Sequence, residues 1–328
     1  MENMRAQGSW AFGVHVGFSH RRSALRSTLP GSRKRQEALR DPIWDFIMAH
    51  EKLADVSEAK RVNLVSANFV PDLFQFSDPA SRFWDITTIG TISSVKRWPE
   101  ALTALKAAFR RRPSLRVLAI ATSADPSRHE WLAQQASALR AYPGFSLVPA
   151  WEQPGEKGLS SDLIARALKR TKVFTLFSRR EGASKVISEA AIAGCRIVVN
   201  EKLIRQSLTF PNAGHVQPFS TTRSAVNVLL SAVDAAPGYS PNVEVLAAWY
   251  GERASLRNLE HRLSQILLQP VEIDVPRNLR LRLPCHTRDG VHWSTQADES
   301  STTSDMATAD HFASFLSYLD AVQRQFDD

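Results

Sequence analysis

The chain has 328 residues, of which 43% are hydrophobic and 23% charged, the ordinary profile of a globular protein. At about 150 residues per domain this is enough for two domains, or one domain with appendages. No apolar run approaches the ~20 residues that a spanning helix needs. The two cysteines, Cys195 and Cys285, lie far apart in sequence. They provide neither a disulfide framework nor a zinc cluster, and a reducing compartment is expected.

The formal charge of +8 is unevenly placed. Residues 1–40 hold eight Lys/Arg against Glu2 and Glu37, which leaves +2 for the other 288 residues. Such a start can attract phosphates or anionic lipid. It does not make the body a nucleic-acid-binding domain, and nucleic acid is not expected as a partner. The Arg- and Ser-rich composition fits a transit peptide, a disordered leader or the stump of a further domain. His15 and His20 read as incidental residues of this leader. Asp41-Pro42 resembles a helix start, and Ile43, Phe46 and Ile47 follow at helical spacing, so residues 41–61 read as a helical remnant or linker.

From residue 62 onward short apolar strands alternate with helices. VNLVSANFV and FWDITTIG read as strands, and Pro99 opens the helix PEALTALKAAFRRR. LRVLAIA is the next strand, and Ser127 with Glu130 forms a capping-box pair for a helix running towards Leu139. FSLVP, LSSDLIARALKR and KVFTLF then give strand, helix, strand. The helix SKVISEAAIA, stopped at Gly194, leads into the strand RIVVN. HVQPF and a helix from Thr221 to about Ala236 follow, and helical VLAAWYGERASLRNLEHRLSQILL completes the set.

Continuously apolar strands separated by helices predict a parallel sheet covered on both faces, a doubly wound α/β domain over 62–268. Residues 269–328 read as a polar tail with a terminal helix. In such a sheet, ligands sit beyond the carboxyl ends of the strands.

Two loops at those ends carry candidate chemistry. The first holds Thr91, Lys96 and Arg97, and a lysine there is placed to meet a phosphate. The second runs Ser178-Arg179-Arg180-Glu181-Gly182-Ala183-Ser184 into the helix bearing Glu189. Small residues let a ligand approach the backbone, and the helix N-terminus suits an anion. Each carboxylate can accept hydrogen bonds from sugar hydroxyls. A diphosphate between two polyols fits that set. Neither loop offers an aspartate pair for a cation, so no metal is expected. Asp289 and His292 form an Asp-x-x-His pair like that of some esterases, but no serine nucleophile accompanies it. Asp85, His129 and His215 read as structural or surface residues.

The segment FSRREGASKVISEAAIAGCRIVV resembles the Glu-x7-Glu block of the family 4 retaining glycosyltransferases of GT-B fold. The matching residues are Ser178, Glu181, Gly182, Glu189, Ala190, Gly194 and the strand 196–199. The upstream IGTISSVKRWPEALTALKAAFRRRPSLRVLAIA is similar to that family's Gly-Arg…Lys loop, helix and strand. The resemblance covers residues 62–268 and implies a transferase whose nucleotide-sugar donor is a substrate, with no separate cofactor. It implies that Lys96 neutralises the donor diphosphate and that Glu181 contacts the transferred sugar. It places the amides of Gly182, Ala183 and Ser184 near the phosphates, Glu189 on the ribose and residues 151–159 at the base. Thr91 stands where the family carries arginine, with Arg97 as the candidate substitute.

The implied partner is a glycan or glycoconjugate acceptor. The expected location is the cytoplasm, with the basic start offering peripheral contact to the inner face of a membrane. The roughly 60 residues before the block are fewer than the ~100 of a full acceptor domain, so that domain is expected to be short or missing. The alternative is a nucleotide-sugar-binding module or a truncated, inactive transferase.

Overall fold

The structure, a computed structural model, describes residues 13–16, 46–49, 61–63, 71–75, 82–123, 125–151, 161–181, 184–206, 215–239, 241, 246, 252–272, 286–287 and 290–291. The chain divides into two units, 1–275 and 276–328. In the second, β-strands His286–Thr287 and Gly290–Val291 pair antiparallel.

The first unit begins with a parallel three-stranded sheet in the order β1-β2-β3, formed by Gly13–Val16, Phe46–Ala49 and Arg61–Asn63. Two sequence expectations change here. Residues 13–16 of the basic leader form a strand, and residues 46–49, read as helical, form another. Phe46-Ile47-Met48-Ala49 is a short, continuously apolar run, for which periodicity does not separate a buried strand from a helix.

The main sheet has six parallel strands: β4 (Trp84–Thr91), β5 (Val117–Ser123), β6 (Phe145–Trp151), β7 (Thr171–Leu176), β8 (Arg196–Asn200) and β9 (Val216–Phe219). Their order is β6-β5-β4-β7-β8-β9. The strand order therefore reverses between β4 and β7, the switch point at which doubly wound sheets open a crevice.

Helices α1 (Trp98–Arg111), α2 (Pro126–Gln135), α3 (Ser161–Lys169), α4 (Lys185–Ile192), α5 (Glu201–Gln206), α6 (Thr222–Asp234) and α7 (Glu252–Leu267) connect or follow the strands. Val117, Ala119 and Ala121 of β5 join one core with Leu105 and Phe109 of α1 and with Leu229 and Val233 of α6. The alternate residues Leu118 and Ile120 are equally buried but stand outside that cluster. Because successive side chains of a strand point to opposite faces, both faces of the sheet are covered, which is why Val117–Ala121 of β5 reads as an unbroken apolar run. On the second face α3 packs against α4.

Local signals set the helix ends. Pro99 lies in the first turn of α1, and Gly194 takes φ 78° just past α4, a left-handed conformation that suits glycine. Thr221 caps α6 in a reciprocal box with Ser224. The cap of α2 is Asp125, whose side chain accepts from the backbone N–H of Ser127, rather than Ser127 itself. Pro126 explains the shift, since its fixed φ and missing N–H favour the first helical position directly after Asp125.

Candidate functional site

The crevice loops leave the carboxyl ends of β4 and β7. The first is anchored on the sheet: the Ile92 N–H donates to Thr122 O at 2.8 Å, and Arg128 Nη1 donates to Ile92 O at 3.1 Å. The buried Trp98 donates from Nε1 to Thr91 O at 2.9 Å. A single 3-10 turn, Ser94–Lys96, then lifts Lys96 back over the end of β4. The lysine stem crosses Gly90 closely: a Cβ there would lie 3.3 Å from Lys96 Cδ and 3.4 Å from Cε. Glycine thus leaves the lane through which the ammonium reaches the switch point.

There it meets the second loop. Lys96 Nζ donates to Glu181 Oε1 at 2.5 Å, and Ser178 Oγ donates to the same oxygen at 2.5 Å. The pair is mostly shielded, with side-chain exposures of 16% for Lys96 and 11% for Glu181. Ser178, which the sequence motif contains but which carried no assigned role, is fully buried and orients the carboxylate.

Further along, Ser184 caps the N-terminus of α4 without using its side chain, and its buried Oγ has no hydrogen-bond partner. Glu189 is buried within α4. Its Oε1 also has no hydrogen-bond partner, and its ion-pair partner Lys185 Nζ stands 3.2 Å away. Burial pushes the Glu189 carboxyl above the ordinary glutamate range, and the Lys185 ammonium offsets part of that shift. The Lys185 ammonium, facing that same oxygen, is what compensates the buried charge. The two glutamates of the motif thus hold different lysines.

Arg97 turns elsewhere. It takes φ 54° at the start of α1, and its guanidinium pairs with Glu100 one turn on. Thr91 is exposed, with Oγ1 3.5 Å from Ser93 Oγ. Gly182 and Ala183 lie outside the described residues, as do residues 152–160, Asp289, His292 and the expected terminal helix. Among the other singled-out residues, Asp85 accepts from Lys172 Nζ at 2.7 Å and from the Arg116 N–H at 2.9 Å. The His129 ring lies 3.0 Å from Ser123 O. Both contacts are structural. Among the described residues no group of three or more His, Cys, Asp and Glu is placed to hold a metal ion, and no helix is long and apolar enough to cross a membrane.

No protein-family model and no curated protein matches this sequence. Solved structures do match its fold. The chain is similar to the GtfA/B complex, with 13% identity, a TM-score of 0.55, and coverage of 81% of this chain and 55% of that one. It is also similar to sucrose-phosphate synthase of Thermosynechococcus elongatus, at 15% identity and TM-score 0.54 over 81% of this chain and 70% of that one. The N-terminal domain of Candida albicans trehalose-6-phosphate phosphatase aligns at 9% identity and TM-score 0.53, over 81% of this chain and 68% of that one. The chain spans about half the length of the first of these structures. The architecture is the Rossmann-like α/β fold found in GT-B glycosyltransferases.

Proposed function

We propose that the protein is a retaining glycosyltransferase of family 4 type, which binds a nucleotide sugar at the β4/β7 switch point and passes the sugar to a glycan or glycoconjugate. The observation that carries this reading is the Lys96–Glu181 pair, which joins the two crevice loops across the point where the strand order reverses.

In the free protein the ammonium of Lys96 rests on a carboxylate. A donor diphosphate offers it a stronger, doubly charged partner, and the lysine then stabilises the negative charge that develops as the sugar–phosphate bond breaks. Glu181, relieved of the lysine but still held by Ser178, is free to accept hydrogen bonds from hydroxyls of the transferred sugar. Glu189 contributes a second, drier carboxylate, which the ribose hydroxyls share with Lys185. Ser184 and the N-terminus of α4 provide donors for a phosphate oxygen. No metal is required by this scheme, because the lysine supplies the charge.

The test pairs calorimetry against UDP-, GDP- and ADP-sugars with an assay of donor hydrolysis, and with NMR of the product anomer. Binding of one donor with hydrolysis and retained configuration supports the proposal. Failure of every donor to bind overturns it.

A second reading, a nucleotide-sugar-binding module without turnover, is favoured by one observation: the Arg97 guanidinium is engaged by Glu100, and Thr91 carries no charge. Tight donor binding without hydrolysis would select that reading.

A further inference from the structure

The loop that carries Lys96 has a second side. Between it and α2 lies a cavity of about 570 Å³, whose walls include Ser93, Arg97, Glu100, Arg128 and Trp131. Arg128 and Trp131 are three residues apart on α2 and so share one face of the helix. The Trp131 indole is 40% exposed, although Trp84 and Trp98 are buried to 2% or less. Arg97 holds a left-handed backbone, which a residue with a side chain adopts at a cost and which tends to accompany function.

Both guanidiniums already have carboxylate partners. Arg97 pairs with Glu100, and Arg128 Nε lies 3.4 Å from Asp125 Oδ2. The cavity therefore offers donors and acceptors with its charges compensated, beside a flat aromatic wall. Two arginines set against two carboxylates leave this lining without net charge, which favours an uncharged ligand. An uncharged sugar ring fits better: its C–H face lies against the indole, and its hydroxyls exchange hydrogen bonds with the Arg97–Glu100 pair and with the Ser93 hydroxyl.

We propose that this cavity is a subsite for an uncharged pyranose unit of a saccharide chain, with Trp131 as its stacking platform. As part of an acceptor site it rests on the transferase reading, since the loop Ile92–Arg97 places Lys96 on the donor and Ser93 and Arg97 on the cavity. It extends that reading by naming a saccharide-binding surface on the nucleotide-binding half itself.

The test titrates the full chain by calorimetry with neutral tetrasaccharides of glucose, galactose, mannose and N-acetylglucosamine, and with tetragalacturonate as the charged counterpart. At least one neutral tetrasaccharide binds, and Trp131→Ala weakens it by about tenfold or more, the loss typical of removing a central aromatic anchor. Trp131→Phe, which keeps a ring, stays within about threefold of the parent. The proposal is overturned if no neutral tetrasaccharide binds, if tetragalacturonate alone binds, or if both Trp131 variants bind as the parent does. Nucleotide-sugar titrations of the same variants separate the two sites. Donor binding that survives while saccharide binding is absent removes the subsite alone. Saccharide binding that depends on Trp131 in a protein that binds no nucleotide sugar removes the donor reading and leaves the subsite standing.

Discussion

Lys96 and Glu181, 85 residues apart, share a hydrogen-bonded ion pair of 2.5 Å at the one place in the main sheet where the strand order turns back. Neither residue lies on a strand or an α-helix. Lys96 arrives because Gly90 leaves room for its stem, and Glu181 because Ser178 holds its carboxylate.

The lane at Gly90 is a specificity of volume rather than of backbone. Gly90→Ala puts a methyl 3.3 Å from a flexible lysine carbon, whereas Gly144→Ala puts one 1.9 Å from the carbonyl oxygen of Leu115. The first is expected to change stability by less than about 1 kcal/mol while weakening donor binding severalfold; the second, forcing backbone apart, is expected to cost at least ~2 kcal/mol. Urea unfolding of the two variants, with donor titration of Gly90→Ala, checks both expectations.

Ser178 is expected to matter to turnover more than to folding. Ser178→Ala removes one of the two donors to Glu181 Oε1. The loss of a hydrogen bond to a charged acceptor amounts to about 1.5–3 kcal/mol where it is fully felt. Donor-hydrolysis kcat/KM is therefore expected to fall about tenfold or more, with Ser178→Thr, which keeps the hydroxyl, recovering part of it. Equal kinetics in the parent and Ser178→Ala would remove the positioning role.

Glu189 links stability to pH. Its pKa is raised on folding by burial, with Lys185 opposing. A carboxyl whose folded value exceeds its unfolded one takes up a proton on folding between the two values. Its contribution is thus most favourable below about pH 4.3, the unfolded value, and is lost as pH rises through the folded one. Glu189→Gln abolishes that ionisation, so the variant is expected to be about 1 kcal/mol more stable than the parent near pH 8, with the difference vanishing towards pH 4. Urea midpoints across that range measure it. The same variant is expected to bind donor more weakly, because the carboxylate that is costly in the free protein is the one offered to the ribose.

The core tolerates less. Phe109, fully buried on α1, stacks on Tyr142 with ring centroids 4.6 Å apart. Phe109→Ala is expected to cost about 3–5 kcal/mol, read from chemical unfolding.

Much of the main sheet was legible because both faces of its central strands are buried, so runs such as Val117–Ala121 carry no polar interruption. Pro99 and Gly194 marked helix ends through backbone geometry alone. The short strand Phe46–Ala49 does not declare itself in the sequence, because four apolar residues fit either period. At the site, residue types and spacing pointed to Lys96, Glu181 and Glu189. The partner of each was not legible. Glu181 could have paired with Arg179 or Arg180 nearby, and only the sheet order decides for Lys96. The Arg97–Glu100 pair, one helical turn apart, was readable in principle. The cavity beside Trp131 was not, since it depends on how α2 docks against a loop some 30 residues earlier.

The diphosphate role of Lys96 is tested most directly by comparing nucleoside diphosphates with their nucleosides in calorimetry, using UDP, GDP and ADP against uridine, guanosine and adenosine. The parent protein is expected to prefer one diphosphate over its nucleoside by about a hundredfold, and Lys96→Ala to lose at least about tenfold of that preference while its affinity for the nucleoside is unchanged. A parent that shows no preference for any diphosphate, or a Lys96→Ala variant that keeps it in full, would contradict a phosphate site at the switch point.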